Sequence, residues 1–349
     1  MNVSQDELRR AAATSGLSPQ QTDLLWETLR SNSTNEGKPK FDAANVAYYL
    51  GALIVIGAMG WFMNKAWEQL GGLGLFAVAT GYAAGFIWAG RTLWDKHALR
   101  IPGGLLFTMA VCMVPLATYG IERWLGFWPA SDPGSYTNFH PLINGSWLIM
   151  EAATIVAGAI ALRFWRFPFV TAPIAYALWY MSMDLADWIG GHQMTWNEKA
   201  MISTVFGAVM IAAAYLVDLQ GKSDDFAFWG YVFGLMSFWG GLSAMDSNSE
   251  LGKLVYCLIN IALIFCSLVL RRRTFIIFGA LGLFGYLSHL AYRVFQDSIL
   301  FPVVLSFAGL AIIYVGFQYQ RRRVEIERSF RARIAPHIRG FIPARALDD

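Results

Sequence analysis

Of 349 residues, 56% are hydrophobic and only 15% charged, with a mean hydropathy of +0.42 and a formal net charge of +3. Water-facing domains carry about 25% charged residues, so this composition excludes a set of soluble domains and makes lipid the solvent. The small net charge leaves no global positive field for nucleic acid. Cys112, Cys257 and Cys266 all lie in apolar runs, give no disulfide framework or metal-ligand spacing, and read as small buried hydrophobes.

The chain begins with a polar segment, residues 1–42, that reads as a pair of short helices and a linker. The first helix covers about Ser4 to Ala13, and Gly16 separates it from a second. That second helix opens at "SPQQ", with Ser18 as N-cap, Pro19 at the first helical position and Gln21 at the capping-box position. It sets Leu24, Leu25, Trp26 and Leu29 largely on one side, an apolar face for its neighbour or for the membrane surface. No basic stretch followed by an apolar core precedes residue 40, so the first long apolar run is expected to act as an uncleaved anchor.

Ten apolar runs follow within 43–320, at about 44–64, 70–90, 102–121, 145–163, 167–188, 199–217, 226–244, 251–270, 274–294 and 299–319. Each is long enough to cross a hydrocarbon core as helix, and in lipid the backbone must satisfy its own hydrogen bonds. The expected fold is therefore an all-α polytopic transmembrane bundle of about ten spans. Pro102, Pro168 and Pro302 stand at the starts of runs, where a missing N–H costs little, while Pro115 and Pro173 lie inside and predict kinks. Threading Lys and Arg onto alternating sides puts 22 of the 27 on one of them, which makes both termini cytoplasmic. Trp61, Trp67, Trp124, Trp128, Trp147, Trp188 and Trp196 fall near outer ends, and Trp94, Trp165 and Trp229 near inner ones, as interfacial belts do. Asn144 heads an "NGS" sequon at the outer surface, too close to the membrane for modification to be expected.

Charges deep in a bilayer cost a few kcal/mol each and call for a reason. Glu151 lies about seven residues in from the outer end of its run, a depth of roughly 10 Å, and its short side chain cannot reach the interface as a lysine does. Asp184 and Asp187 lie toward the outer end of the fifth run. Glu122 and Arg123 end the third, Asp246 and Lys253 flank the turn between the seventh and eighth, and Asn260 lies deeper in the eighth. His289 and Arg293 share a face of the ninth run at i, i+4. The inner halves of the runs are almost bare of carboxylates. Two readings stand: a polar cavity in which Glu151, Asp184 and His289, with Arg293 and Asn260 nearby, hold a proton, a cation or a polar solute, or a set of helix-end residues in the headgroup zone with one or two interhelical pairs.

Gly81 and Gly85 in "GYAAG", Gly230 and Gly234 in "GYVFG", and Gly279 with Gly282 permit close helix contact. Faint internal echoes relate the first and second runs to the sixth and seventh, as inverted repeats would, but "LGLF" recurs at a different offset and competes with that alignment. The tail, 321–349, carries Arg321, Arg322, Arg323 and Arg328 among eight arginines, an anchor for anionic lipid or a docking site for a protein partner. No Walker loop, HExxH, nucleophile elbow or paired CxxC is present, and no cofactor is implied.

"SGLSPQQTDLLWETL" (Ser15 to Leu29), a linker, and "YYLGALIVIGAMGWFMNKAWEQLGG" (Tyr48 to Gly72) together resemble the opening of a bacterial family of multi-pass membrane proteins defined by a domain of unknown function. There a soluble helical pair precedes a Gly-rich first span ending in a Trp-acid-Leu-like turn, matched here by Trp67, Glu68 and Leu70. The resemblance implies a bacterial cytoplasmic membrane and this architecture, and it transfers no activity. The expectation for function is a transporter-like or channel-like protein for a small solute or ion, with Glu151 as a protonatable site. The alternatives are a non-catalytic scaffold or assembly factor acting through its cytoplasmic termini, and a membrane enzyme acting on lipid-linked substrates.

Overall fold

The computed structural model describes most of residues 69–96, 99–128, 145–190, 195–220 and 224–294, with scattered positions in 8–25, 46–61 and 300–321. All the regular structure among the described residues is helical. In chain order it consists of α1 (Gly71–Arg91), extended by a wide turn over Thr92–Lys96, α2 (Arg100–Cys112), α3 (Val114–Leu125), α4 (Gly145–Phe164), a 3₁₀ turn (Pro168–Val170), α5 (Thr171–Gly190), α6 (Trp196–Gln220), α7 (Phe228–Ala244), α8 (Glu250–Leu270) and α9 (Arg273–His289), the last extended by a wide turn over Leu290–Val294.

Five helices are long and apolar enough to cross a membrane: Gly71–Lys96, Arg100–Leu125, Trp147–Phe164, Trp196–Gln220 and Glu250–Leu270. At 1.5 Å per residue the 21 residues of the last cover about 31 Å, close to a hydrocarbon core. Arg100–Leu125 is mostly buried, while the other four turn many apolar side chains outward, among them Val156, Ile160, Val205, Val209, Leu258 and Phe265. This is a membrane protein: that much exposed hydrocarbon is stable only against lipid.

The two internal prolines act differently. Pro115 interrupts the second long helix, which breaks at Met113 between α2 and α3, where a proline removes an i→i−4 bond. Pro173, expected to kink its span, does not. The helix starts at Thr171 rather than 167, so this proline occupies the first turn, where no intrahelical N–H is needed. At the N-terminal segment, the Gln21 amide donates to Ser18 Oγ (3.3 Å) and the Ser18 amide to Gln21 Oε1 (3.1 Å), the expected reciprocal cap. Leu24 and Leu25 are exposed, while Thr22 and Ala12 are buried.

α5 is the hub of the bundle, packing on α4, α6 and α7 and touching α2; α6 packs along α7, α8 along α9, and α1 along α2 and α3. Small residues make the tightest contacts. A Cβ on Gly207 of α6 would lie 2.7 Å from both the Gly234 carbonyl and the Phe238 Cα of α7, and Gly241 faces the Ala200 carbonyl in the same way. Gly279 and Gly282 of α9 close on the Asn260 turn of α8. Gly81 and Gly85 differ, with no heavy atom within 4 Å of an added Cβ among the described residues. Gly207→Val is therefore expected to destabilise the protein by about 1–3 kcal/mol through overpacking, whereas Gly81→Ala, in open space inside α1, is expected to leave stability unchanged or raise it by up to about 1 kcal/mol, read as thermal unfolding in detergent.

Other sequence expectations are corrected by packing. Cys112 and Cys266 are exposed on helix sides, and only Cys257 is buried. Trp128 is buried against Tyr119 and Met150 instead of joining an interfacial belt. Trp165 stacks on Phe107 at 4.1 Å between ring centres and lies under the Arg91 guanidinium.

Candidate functional site: a carboxyl pair beside an aromatic cavity

α4 and α5 form an antiparallel hairpin closed by Trp165 to Val170. Thirteen residues back from Phe164, the last residue of α4, lies Glu151; thirteen residues on from Thr171, the first of α5, lies Asp184. Equal rise on two antiparallel helices puts them at about one level, and Gly158 of α4 packs against the Ile174 side chain of α5 nearer the turn. The two carboxyl groups face each other across the hairpin within electrostatic and hydrogen-bonding reach, and both residues are buried. Among the described residues neither Glu151 oxygen receives a hydrogen bond. The polar partner they leave to Glu151 is the Asp184 carboxyl, itself acidic, so a proton or a bound cation is what can join them.

Glu151 also reaches the wall of a cavity of about 630 Å³, in the size range of small-molecule sites. Thr108, Thr154, Tyr176 and Tyr180 are the other polar side chains on its wall, and no lysine or arginine is among the described residues that line it. Along its wall, from the hairpin turn up to Tyr180, runs a series of packed rings contributed by Phe169, Trp229, Phe233, Tyr176 and Tyr180. Phe169 meets Trp229 edge-on at 5.3 Å, Trp229 stacks on Phe233 at 6.0 Å, and Tyr176 meets Phe233 at 5.6 Å and Tyr180 at 4.9 Å. Mutual packing fixes these ring orientations, so the wall is preformed. Trp229, expected in an inner interfacial belt, is part of this wall.

On its other face α5 carries Ser182, which accepts a hydrogen bond from Ser237 of α7 at 3.2 Å; Ser237 in turn lies 3.1 Å from Ser203 of α6. Buried hydroxyls satisfied by one another fix α5 against α6 and α7, which holds Asp184, two residues along, toward α4.

The remaining expected site residues lie elsewhere. His289 sits at the end of α9, with its Nε2 3.6 Å from Glu250 of α8, and Glu250 also pairs with Lys253 at 2.7 Å. α9 packs on α8 and α7, away from the α4–α5 hairpin. Arg293 is exposed, because the wide turn over Leu290–Val294 breaks the i, i+4 register with His289. Asn260 is fully buried, with its amide nitrogen donating to the Tyr256 carbonyl at 2.8 Å and its side chain filling the space left by Gly282. The Asp187 side chain, Asp246, Asn144 and the arginines 322, 323 and 328 lie outside the described residues; Arg321 is exposed.

A second buried charge cluster carries no obvious sequence mark. Arg272, between α8 and α9, donates through Nε to Asp218 Oδ2 (3.1 Å) and through a second nitrogen to Asp218 Oδ1, while its Nη1 reaches Asp225 Oδ2 at 2.6 Å. Tyr231 donates to Asp218 at 3.3 Å and lies under the guanidinium. The left-handed conformation of Arg271 (φ 52°) turns the chain so that Arg272 points inward. The apolar run of α6 ends one residue short of Asp218, which is why the inner halves of the runs read as free of acids.

Comparisons with protein-family models, curated proteins and solved structures find no match to this chain. Among the described residues no group of three or more His, Cys, Asp or Glu side chains could hold a metal ion.

Proposed function

We propose that the protein is a transporter-like carrier or channel of the bacterial cytoplasmic membrane, crossing it about ten times with both termini cytoplasmic, in which the Glu151–Asp184 pair couples a proton or cation to a small solute held in the adjoining cavity. The observation that supports this reading is the level juxtaposition of two buried carboxyl groups, one of which, Glu151, reaches the wall of an aromatic-lined cavity. A purely structural role for Glu151 would require a donor to satisfy it, since a buried unsatisfied acid costs the bundle several kcal/mol and packs no better than glutamine. The lysine and arginine asymmetry supports the orientation, and the eight tail arginines supply contacts to anionic headgroups at the cytoplasmic face. The opening 72 residues support membership of the domain-of-unknown-function family they resemble.

The coupling reading is tested in proteoliposomes loaded with a pH-sensitive dye. An imposed cation or pH gradient is expected to drive proton movement through the wild type, and movement no faster than in protein-free vesicles would sink it. Topology has its own test: a cysteine at position 345, in a variant lacking the three native cysteines, is expected to react with an impermeant maleimide only after cells are opened. Reaction in intact cells would require a different number of passes.

A further inference from the structure

The chemistry of the cavity wall narrows what can occupy it. Among the described residues one acidic side chain, Glu151, reaches the cavity, no basic side chain lines it, and a run of ring faces and edges extends along its wall from the hairpin turn to Tyr180. Aromatic faces carry negative quadrupole density, so they attract cations and repel anions, and the attraction grows where water is excluded. The hydroxyls of Thr108, Thr154, Tyr176 and Tyr180 are spread along the wall rather than gathered at one point, which suits no strongly hydrated ion that needs a full oxygen shell. A bare inorganic cation would also leave most of the roughly 630 Å³ unfilled.

We infer that the cavity takes lipophilic organic cations, a delocalised or quaternary positive charge on an aromatic or aliphatic body. The charge sits at the Glu151 end, beside Tyr180, and the body lies along Tyr176 and Phe233 toward the hairpin turn. An apolar body enters from the membrane without shedding a tight hydration shell, and the buried carboxylate supplies the counter-charge the bilayer lacks. The same charge that draws the cation can hold a proton instead, so the two compete for one group. This inference rests on reading the cavity as a solute site, and it adds the class of solute.

Equilibrium dialysis of the full-length protein in detergent tests it, with tetraphenylphosphonium and its anionic counterpart of matched shape, tetraphenylborate, as probes. The expected result is saturable binding of the cation at one per chain, at least about tenfold tighter than the anion. Glu151→Gln is expected to lower cation affinity to the level of the anion, and Tyr180→Leu, at the ring one turn from Asp184, to lower it about fivefold while leaving the anion unchanged. Tyr180→Leu keeps the test decisive if the Glu151 variant fails to fold, as judged by its melting profile. Equal binding of the two ions, or unchanged cation affinity in a folded Glu151→Gln or Tyr180→Leu variant, would overturn the inference. The coupling reading fails separately: cation binding that depends on Glu151, in a protein whose liposomes show no proton movement, leaves a cation site without transport. Proton movement that depends on Glu151, with no preference for the cation, removes only the solute class.

Discussion

Glu151→Gln is expected to reduce gradient-driven proton movement in proteoliposomes to that of protein-free vesicles, while leaving the thermal unfolding of the protein unchanged or raised. Glutamine is nearly isosteric and fits the same space between α4 and α5, but it cannot release a proton and carries no charge for a cation to balance. Removing an acid that lacks a fixed hydrogen-bond donor relieves a desolvation cost, so stability is expected to hold. Asp184→Asn is expected to have a milder effect on flux, because the group that reaches the cavity remains. If Glu151→Gln transports as well as the wild type, the carboxyl pair is only a structural contact between two helices.

The opposite balance is expected at the second charge cluster. Asp218→Asn should destabilise the protein by about 3–5 kcal/mol, since it strips the main counter-charge from Arg272, a guanidinium only 8% exposed. Asp225 alone cannot replace it, because Asp225 engages one guanidinium nitrogen and Asp218 two. Pairing Asp218→Leu with Arg272→Met should recover most of that loss, because the cost lies in the orphaned charge and a well-packed apolar pair carries none. Thermal unfolding in one detergent across the three variants measures both effects. A double variant no more stable than Asp218→Asn would mean that the cluster contributes specific geometry beyond charge compensation. The position argues for a locking role: Asp218 lies in the last turn of α6, Asp225 precedes α7 and Arg272 precedes α9, so one guanidinium holds three helix ends together.

The antiparallel register that makes Glu151 and Asp184 level was open to counting along the chain, because the hairpin turn is short and both helices rise at the same rate. Whether the two side chains turn toward each other was not, since that depends on the rotation of each helix, and α5 is rotated by its serine contacts to α6 and α7. His289 illustrates the failure. Its depth suggested the same cavity, yet α9 pairs with α8, and Glu250, an acid assigned no role from the sequence, holds it there. Asn260 was legible as a buried polar group, while its fit against Gly282 required the α8–α9 contact.

By itself the sequence determined the solvent, the all-helical character and the cap at Ser18. Hydrophobic run length, proline position and capping residues act through the nearest turn of backbone, and a chain in lipid has few other ways to satisfy its amides. Only the tertiary structure decided which acids meet. Apolar surfaces in a bilayer are nearly interchangeable, so helix partners are chosen by small-residue grooves and a few buried polar pairs from distant parts of the chain. Asp218 and Arg272, 54 residues apart, are such a pair. The aromatic wall of the Glu151 cavity is likewise shared among α5, α7 and the turn before α5, and no one segment carries enough of it to be read alone.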